Sequence, residues 1–426
     1  MKKLIAISMM IALVAGAAFA QANIGFTLDT RLDVNGTSHG SIDWTTDPTA
    51  PAYGTAPKPT IGGGIADGYL VASAENDDGT LGGLLRIQAN SAVNGGGTNP
   101  IGFHRAFIWW KPIDQLKIFL GKEKDGLYST GGALTDWAFH QGAEGYLNFH
   151  DWGYWRTVFP GNWDTFGLAF EIYPIEGLNI NLVIPTGTSD WPNDQDGRRL
   201  VLEDVIYHLR LQANYNIAGI GTIYFSYIGA GKPAEGAVNY SNGNIGASFL
   251  LDGPVEGLKV QAGFATDLNA GNRKSPLYIG LAAHYASGDF GVKFRSAFEI
   301  GHMQSGVGDP DSSGRVTYSV QSHAGAGGVA EGLAFQFNVM PWYNLGFLEA
   351  RLDIGLRMTM PSAAGATGQM AWHINPYARV PIPGGRFQFG FKVDGRTVES
   401  FGGAGEGNLK ADVIRWSIPL GLVFSF

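Results

Sequence analysis

Arg351, Asp353 and Arg357 follow Glu349 at even spacings, and residues two apart in an extended strand share a face. The pattern is general. The basic residues Arg31, Arg86, Arg210, Lys259, Lys293, Arg295, Arg351, Arg357, Arg379, Arg386 and Lys392 fall on the polar faces of alternating segments. So do the acidic residues Asp29, Asp33, Glu299, Glu349, Asp353 and Asp394. Bases outnumber acids on these faces, although the whole chain carries a formal net charge of −8. Excess acid must therefore sit in connecting segments, as at Asp190, Asp194, Asp196, Asp309 and Asp311. A basic wall facing water concentrates anions. The competing expectation is that Glu349, Arg351, Asp353 and Arg357 neutralise one another across neighbouring strands.

The second concentration of functional side chains is the segment 123–162. It carries Trp137, Phe139, His140, Tyr146, Phe149, His150, Trp152, Tyr154, Trp155 and Phe159, with Asp136, Glu144, Asp151 and Arg156 among them. Aromatic faces flanked by polar groups suit the stacking of sugar rings. The same rings suit packing of the segment against its own wall, or a place in a membrane-interface belt.

Other chemistry is thinly supported. D-P-D-S-S-G (309–314) begins like a calcium loop, but Val320 stands where the bidentate Glu belongs, and D-W-P-N-D-Q-D-G (190–197) is equally partial. Both read as Asx-rich loops, so no metal and no cofactor are expected. H-E-x-x-H and G-x-S-x-G are absent, and Gly121-Lys122 lacks the rest of a phosphate loop. The histidines are scattered, with His208, His284 and His373 projecting inward from separate strands. The chain therefore does not read as an enzyme.

These side chains need strands to position them. Ile24, Phe26, Leu28, Thr30, Leu32 and Val34 alternate with Gly25, Thr27, Asp29, Arg31 and Asp33, a period of two over about ten residues. Similar alternation marks 116–121, 166–173, 178–184, 205–215, 258–266, 277–285, 290–300, 348–358, 370–380 and 387–393. Connections come in two sizes. Short ones, such as K-P-I-D-Q-L (111–116), Y-P-I-E-G-L (173–178), D-G-P-V-E-G-L (252–258) and P-I-P-G-G (381–385), use proline and glycine to turn. Long polar ones are expected at 35–67, 123–162, 185–200, 301–329 and 395–409, with 315–323 read as loop in preference to strand.

The two ends and the composition fit this layout. Lys2 and Lys3, the apolar run 4–18 and A-F-A make a secretory leader, cut after Ala20 or equally well after Ala22. Cleavage at Ala20 leaves a single domain, 21–426. Losing those two lysines takes the net charge from −8 to −10, which argues against a nucleic-acid partner. The absence of cysteine excludes disulfides, thiol catalysis and acylated lipoprotein anchoring. Charged residues are only 15% of the chain and glycine is abundant at 63 residues, as an apolar band facing lipid requires. The last strand, R-W-S-I-P-L-G-L-V-F-S-F, puts Trp416, Ile418, Leu420, Leu422, Phe424 and Phe426 on one face.

That terminal strand resembles the assembly signal of bacterial outer-membrane barrels, with Phe424 and Phe426 as its aromatics. W-W-K-P-I-D-Q-L-K-I-F-L-G-K (109–122) is similar to the strand–turn–strand units of the porins of that superfamily. The resemblance covers the mature chain in layout. With about 18 strands (16 as the alternative) counted from the alternation of short and long connections, it implies an all-β, antiparallel up-and-down transmembrane barrel with short periplasmic turns and long extracellular loops. It also implies residence in the outer membrane of a diderm bacterium, contact with outer-membrane lipid and the barrel assembly machinery, and often a homotrimer. The expected activity is passive diffusion of small hydrophilic solutes through a water-filled, mildly anion-preferring channel. The basic and acidic residues named above would line it, and Trp137, Phe139, Tyr146, Trp152, Tyr154 and Trp155 would contact solute or narrow it. Alternatives are a carbohydrate-selective channel, a transporter of hydrophobic compounds, or an adhesin.

Overall fold

The computed structural model describes residues 21–44, 60–89, 101–123, 165–185, 206–229, 239–271, 277–302, 331–361, 369–400 and 409–425. The strands run β1 (Gln21–Trp44), β2 (Thr60–Glu75), β3 (Leu81–Ala89), β4 (Ile101–Ile113), β5 (Leu116–Glu123), β6 (Thr165–Ile175) and β7 (Leu178–Pro185). There follow β8 (Arg210–Ile217), β9 (Gly221–Gly229), β10 (Asn239–Leu251), β11 (Leu258–Gly271), β12 (Leu277–Ser287), β13 (Phe290–His302) and β14 (Glu331–Asn344). The last are β15 (Glu349–Pro361), β16 (Gln369–Ile382), β17 (Gly385–Gly390), β18 (Lys392–Ser400) and β19 (Leu409–Ser425). Segments β17 and β18 pair the same two neighbours in unbroken register on either side of Phe391, so they are halves of one wall strand. The barrel thus has 18 strands.

Every neighbour pairs antiparallel, and β19 pairs back to β1 from Thr27↔Ser425 to Trp44↔Leu409. The sheet has no open edge. Closure satisfies all ladder groups within the wall, which is what a lipid setting demands.

The faces separate cleanly. Along β12, Leu277, Ile279 and Leu281 are exposed while Tyr278, Gly280 and Ala282 are buried. On neighbouring β8 and β9, Gln212 is 0% exposed and Phe225 43%. Large apolar side chains are the exposed ones because they cover the outside, and polar ones are enclosed because they point inward. Trp110, Tyr215, Tyr285, Phe290 and Tyr343 add exposed rings beside the short turns, where an interface girdle belongs.

Short turns close one rim and the longer connections the other. In the β11 approach, Gly257 adopts φ +74°, and a Cβ there would lie 2.0 Å from the Ala286 carbonyl oxygen. The β2–β3 turn is held by side chains: Asp78 accepts from the Thr80 hydroxyl at 2.7 Å and its N–H at 3.0 Å. These bonds, the hydroxyl first, hold the Asp78 carboxyl below its ordinary range. At the β4–β5 turn, Lys111 donates to Asp114 at 2.7 Å, and that bond lowers the Asp114 pKa in the same way.

Three expectations are corrected. Residues 206–208 form a single 3₁₀ turn, and β8 starts at Arg210, so His208 is not a strand residue. Beta-branched and aromatic composition mimics a strand there, but the two-residue alternation begins only at Arg210. The loop bounds 35–67 and 395–409 are too wide: β1 reaches Trp44, β2 starts at Thr60, β18 reaches Ser400 and β19 starts at Leu409. Beyond the lipid band an outward residue need not be apolar, so hydropathy ends before the strand does. Residues 1–20, Phe426, 315–323, the Asp-rich segments 190–197 and 309–314, and the aromatic segment with Trp137, Phe139, Tyr146, Trp152, Tyr154 and Trp155 lie outside the described residues.

Candidate functional site: the inner face of the barrel

Directly paired residues share a face, so register alone assigns the inner wall. Arg86 pairs Arg105 and Val71; Arg210 pairs Val183; Lys259 pairs His284, which pairs Lys293. Arg295 pairs Asn338, Arg351 pairs Trp342 and Tyr377, and Glu349 pairs Arg379, which pairs Gln388. Asp353 pairs Asn375, Arg386 pairs Val423, Lys392 pairs Ser417, and His373 pairs Asp394. Arg31, Glu299 and Arg357 hold inner register positions opposite Gly421, Tyr278 and Gln336. All of these positions fall on the face opposite the exposed apolar band.

The structure brings part of this set into contact. Arg351 Nε donates to Glu349 Oε1, and Arg379 Nη1 lies 3.8 Å from the same oxygen. Arg379 Nε also donates to Gln388 Oε1 at 3.1 Å. One carboxylate is therefore shared by two guanidiniums. Asp353 Oδ2 instead faces His373 Nε2 at 3.2 Å, and Arg295 acts on it across β14. Neutralisation within Glu349, Arg351 and Asp353 is thus partial, and the cluster keeps a positive excess. Tyr377 donates its hydroxyl to Met340 Sδ at 3.2 Å, which fixes the ring beside Arg351.

Several inner cations rest on aromatic faces. The Arg86 guanidinium carbon lies 3.4 Å from the Tyr69 ring centre, and Lys117 Nζ lies 3.9 Å from that of Trp109. Arg351 lies 5.5 Å from Trp342 and Arg379 5.8 Å from Tyr377. The indoles in turn lie flat on glycine. A Cβ on Gly82 would meet Trp109 at 2.5 Å, and one on Gly291 would meet Trp342 at 1.9 Å. Ring faces attract and orient the cations, so their charges stand at defined points of the wall.

Sequence reading missed Arg105, Lys117 and Glu171, all on inner positions; Lys117 pairs Glu171, which accepts from Tyr173 Oη at 3.0 Å. Alternation of Lys117 with Ile118 inside 116–121 was the available signal. Among the described residues no group of three or more metal-ligating side chains gathers. No helix there is long and apolar enough to cross a membrane, which says nothing of a barrel.

No family profile matches the sequence, and no curated protein matches it. Solved structures do match along nearly the whole length. OpdQ of Pseudomonas aeruginosa aligns with TM-score 0.54 at 9% identity, over 95% of this chain and 97% of that one. The chain has the outer-membrane porin fold. A BenF-like porin from Pseudomonas fluorescens Pf-5 aligns at TM-score 0.52 and 10% identity, covering 96% and 100% of the two chains. The anion-selective porin from Comamonas acidovorans aligns at TM-score 0.50 and 12% identity, covering 95% and 99%. At such identities the porin fold is shared, and individual side chains are not.

Proposed function

We propose that this protein is an outer-membrane porin: a water-filled barrel through which small hydrophilic solutes diffuse passively, with a mild preference for anions. The observation that carries the proposal is the closed 18-strand wall, apolar outside and dominated by fixed cations inside. Basic rings facing water favour anions, and the Comamonas barrel of this fold is described as anion-selective. Its role needs no catalytic group or cofactor. Arg86, Arg210, Lys259, Lys293, Arg295, Arg351, Arg379, Arg386 and Lys392, with Glu349 and Asp353, line the pathway, and Arg31, Glu299 and Arg357 occupy lining positions. Removal of residues 1–20, handling by the assembly machinery through Phe424 and Phe426, and association as a homotrimer complete the proposal.

The test is reconstitution of mature protein into a planar bilayer. Ohmic steps, with a reversal potential of anionic sign in a salt gradient, support the proposal. Absence of any conductance from correctly folded protein rejects it. Carbohydrate selectivity through the 123–162 aromatics is the second reading, and block of the current by a neutral sugar would favour it.

A further inference from the structure

The inner wall is not chemically uniform around its circumference. On β7 to β10 the only charged inner position is Arg210, at the long-loop end of β8. Nearer the short turns these strands present amides and a phenol. Asn179, Asn214 and Tyr224 form one register row, and Asn216 pairs Thr222 beside it. Asn216 Nδ2 donates to Thr222 Oγ1 at 3.1 Å. Asn179, Asn214 and Tyr224 are half-buried and Asn216 is exposed, so the patch is reachable. Glu171 borders it on β6, where Lys117 stands opposite Glu171 in the pair and offsets its charge, and Asp252, just past the end of β10, borders it on the other side close enough to act on Tyr224.

Arg351, Arg379 and Arg386 occupy the same end of the lumen on β15 to β17, again within a few residues of the short turns. Strands β10 to β14 separate the two patches one way round the ring, and β19 with β1 to β6 the other way. A neutral hydrogen-bonding face therefore stands across the lumen from a guanidinium face.

Resting on the porin reading above, we infer that this vestibule is built for solutes carrying a carboxylate and several hydroxyls, the chemistry of aldonates and uronates. Each Asn offers a donor and an acceptor, as each solute hydroxyl does, so the β7–β9 face pairs with hydroxyls whatever the charge. Guanidiniums take the carboxylate through paired charge-assisted hydrogen bonds. A hydroxyl-free carboxylate engages one face only. A neutral sugar engages only the other.

The experiment measures block of single-channel chloride current by gluconate, butyrate and glucose in turn. Half-block by gluconate is expected at roughly tenfold lower concentration than by either comparator, as one added pair of hydrogen bonds supplies. Tyr224→Phe, which deletes one hydroxyl, and Asn214→Leu should each erode the advantage over butyrate while leaving chloride conductance unchanged. Arg379→Gln should weaken gluconate and butyrate alike and leave glucose as it was. Ohmic chloride steps with gluconate no better than butyrate overturn the inference and leave the porin standing. So does the full gluconate advantage surviving in both Tyr224→Phe and Asn214→Leu. Absence of chloride current in the unmodified protein would instead reject the porin reading itself.

Discussion

Glu349 sets how much positive charge the inner wall shows. Arg351 and Arg379 both lean on it, so Glu349→Gln releases two guanidiniums into the lumen without altering the fold of the strand. The chloride-to-potassium permeability ratio should rise on the order of twofold, because physiological salt screens most of one charge across a lumen. A reversal potential in a tenfold salt gradient reads this; an unchanged ratio would mean Glu349 is already silent. Gly291 makes the second residue-scale case. Its missing side chain is the space in which Trp342 lies, and Gly291→Ala should destabilise the barrel by roughly 1–3 kcal/mol through overpacking. A lowered urea midpoint in detergent micelles reports it. Alternation made the arginines legible because a strand has no period other than two. It failed at β4, where Phe107 and Trp109 point inward while Ile108 and Trp110 face out. With apolar residues on both faces, hydropathy cannot tell inside from outside, and Arg105 was lost with them.

Turns decide register at the scale of elements. Gly257 (φ +74°) and Gly288 (φ +57°) both adopt left-handed backbone, yet only Gly257 has a carbonyl pressed against it. Gly288→Ala should cost about 1 kcal/mol, the penalty of the conformation alone. Gly257→Ala should exceed it by a further 1 kcal/mol or more, since the backbone must shift. Equal urea midpoints for the two variants would contradict this. The β2–β3 turn adds a pH dependence. Asp78 has its pKa lowered by Thr80, so its contribution is complete above the ordinary carboxylate pKa and disappears as pH falls through the lower, folded value. Protection of the Thr80 amide, measured against the intrinsic exchange rate at each pH, should therefore fall in acid, and Asp78→Asn should abolish that pH dependence. Proline and glycine announced the turn at Gly257 in the sequence, whereas the β2–β3 turn, built on Asn76, Asp78 and Thr80, was not picked out. Strand ends were harder to read, because above the lipid band the wall continues through residues polar on both faces, as in the stretch to Trp44.

Across the whole molecule one surface touches lipid and the other touches water. Closure of β19 onto β1 makes that division possible, and the unequal walls make the interior more than a hole. Two-residue periodicity over hundreds of residues, with short and long connections alternating, admits few architectures, so the barrel was readable without coordinates and its strand number to within two; the register of the strands settles it at 18. The opposition of the amide face to the guanidinium face was not readable. It depends on which strands lie across the ring from each other, and that follows from the count and closure of the strands and from no local pattern.

Because the chain contains no cysteine, single cysteines can report each face without background. Tyr224 and Phe225 are consecutive on β9, with Tyr224 on the inner register and Phe225 exposed outside. In reconstituted bilayers, Tyr224→Cys should react with a charged, water-soluble methanethiosulfonate and its single-channel current should drop on modification. Phe225→Cys should stay unreactive until the protein is denatured. Equal labelling of both, or labelling of position 225 alone, would contradict a water-filled barrel with lipid on its outer face.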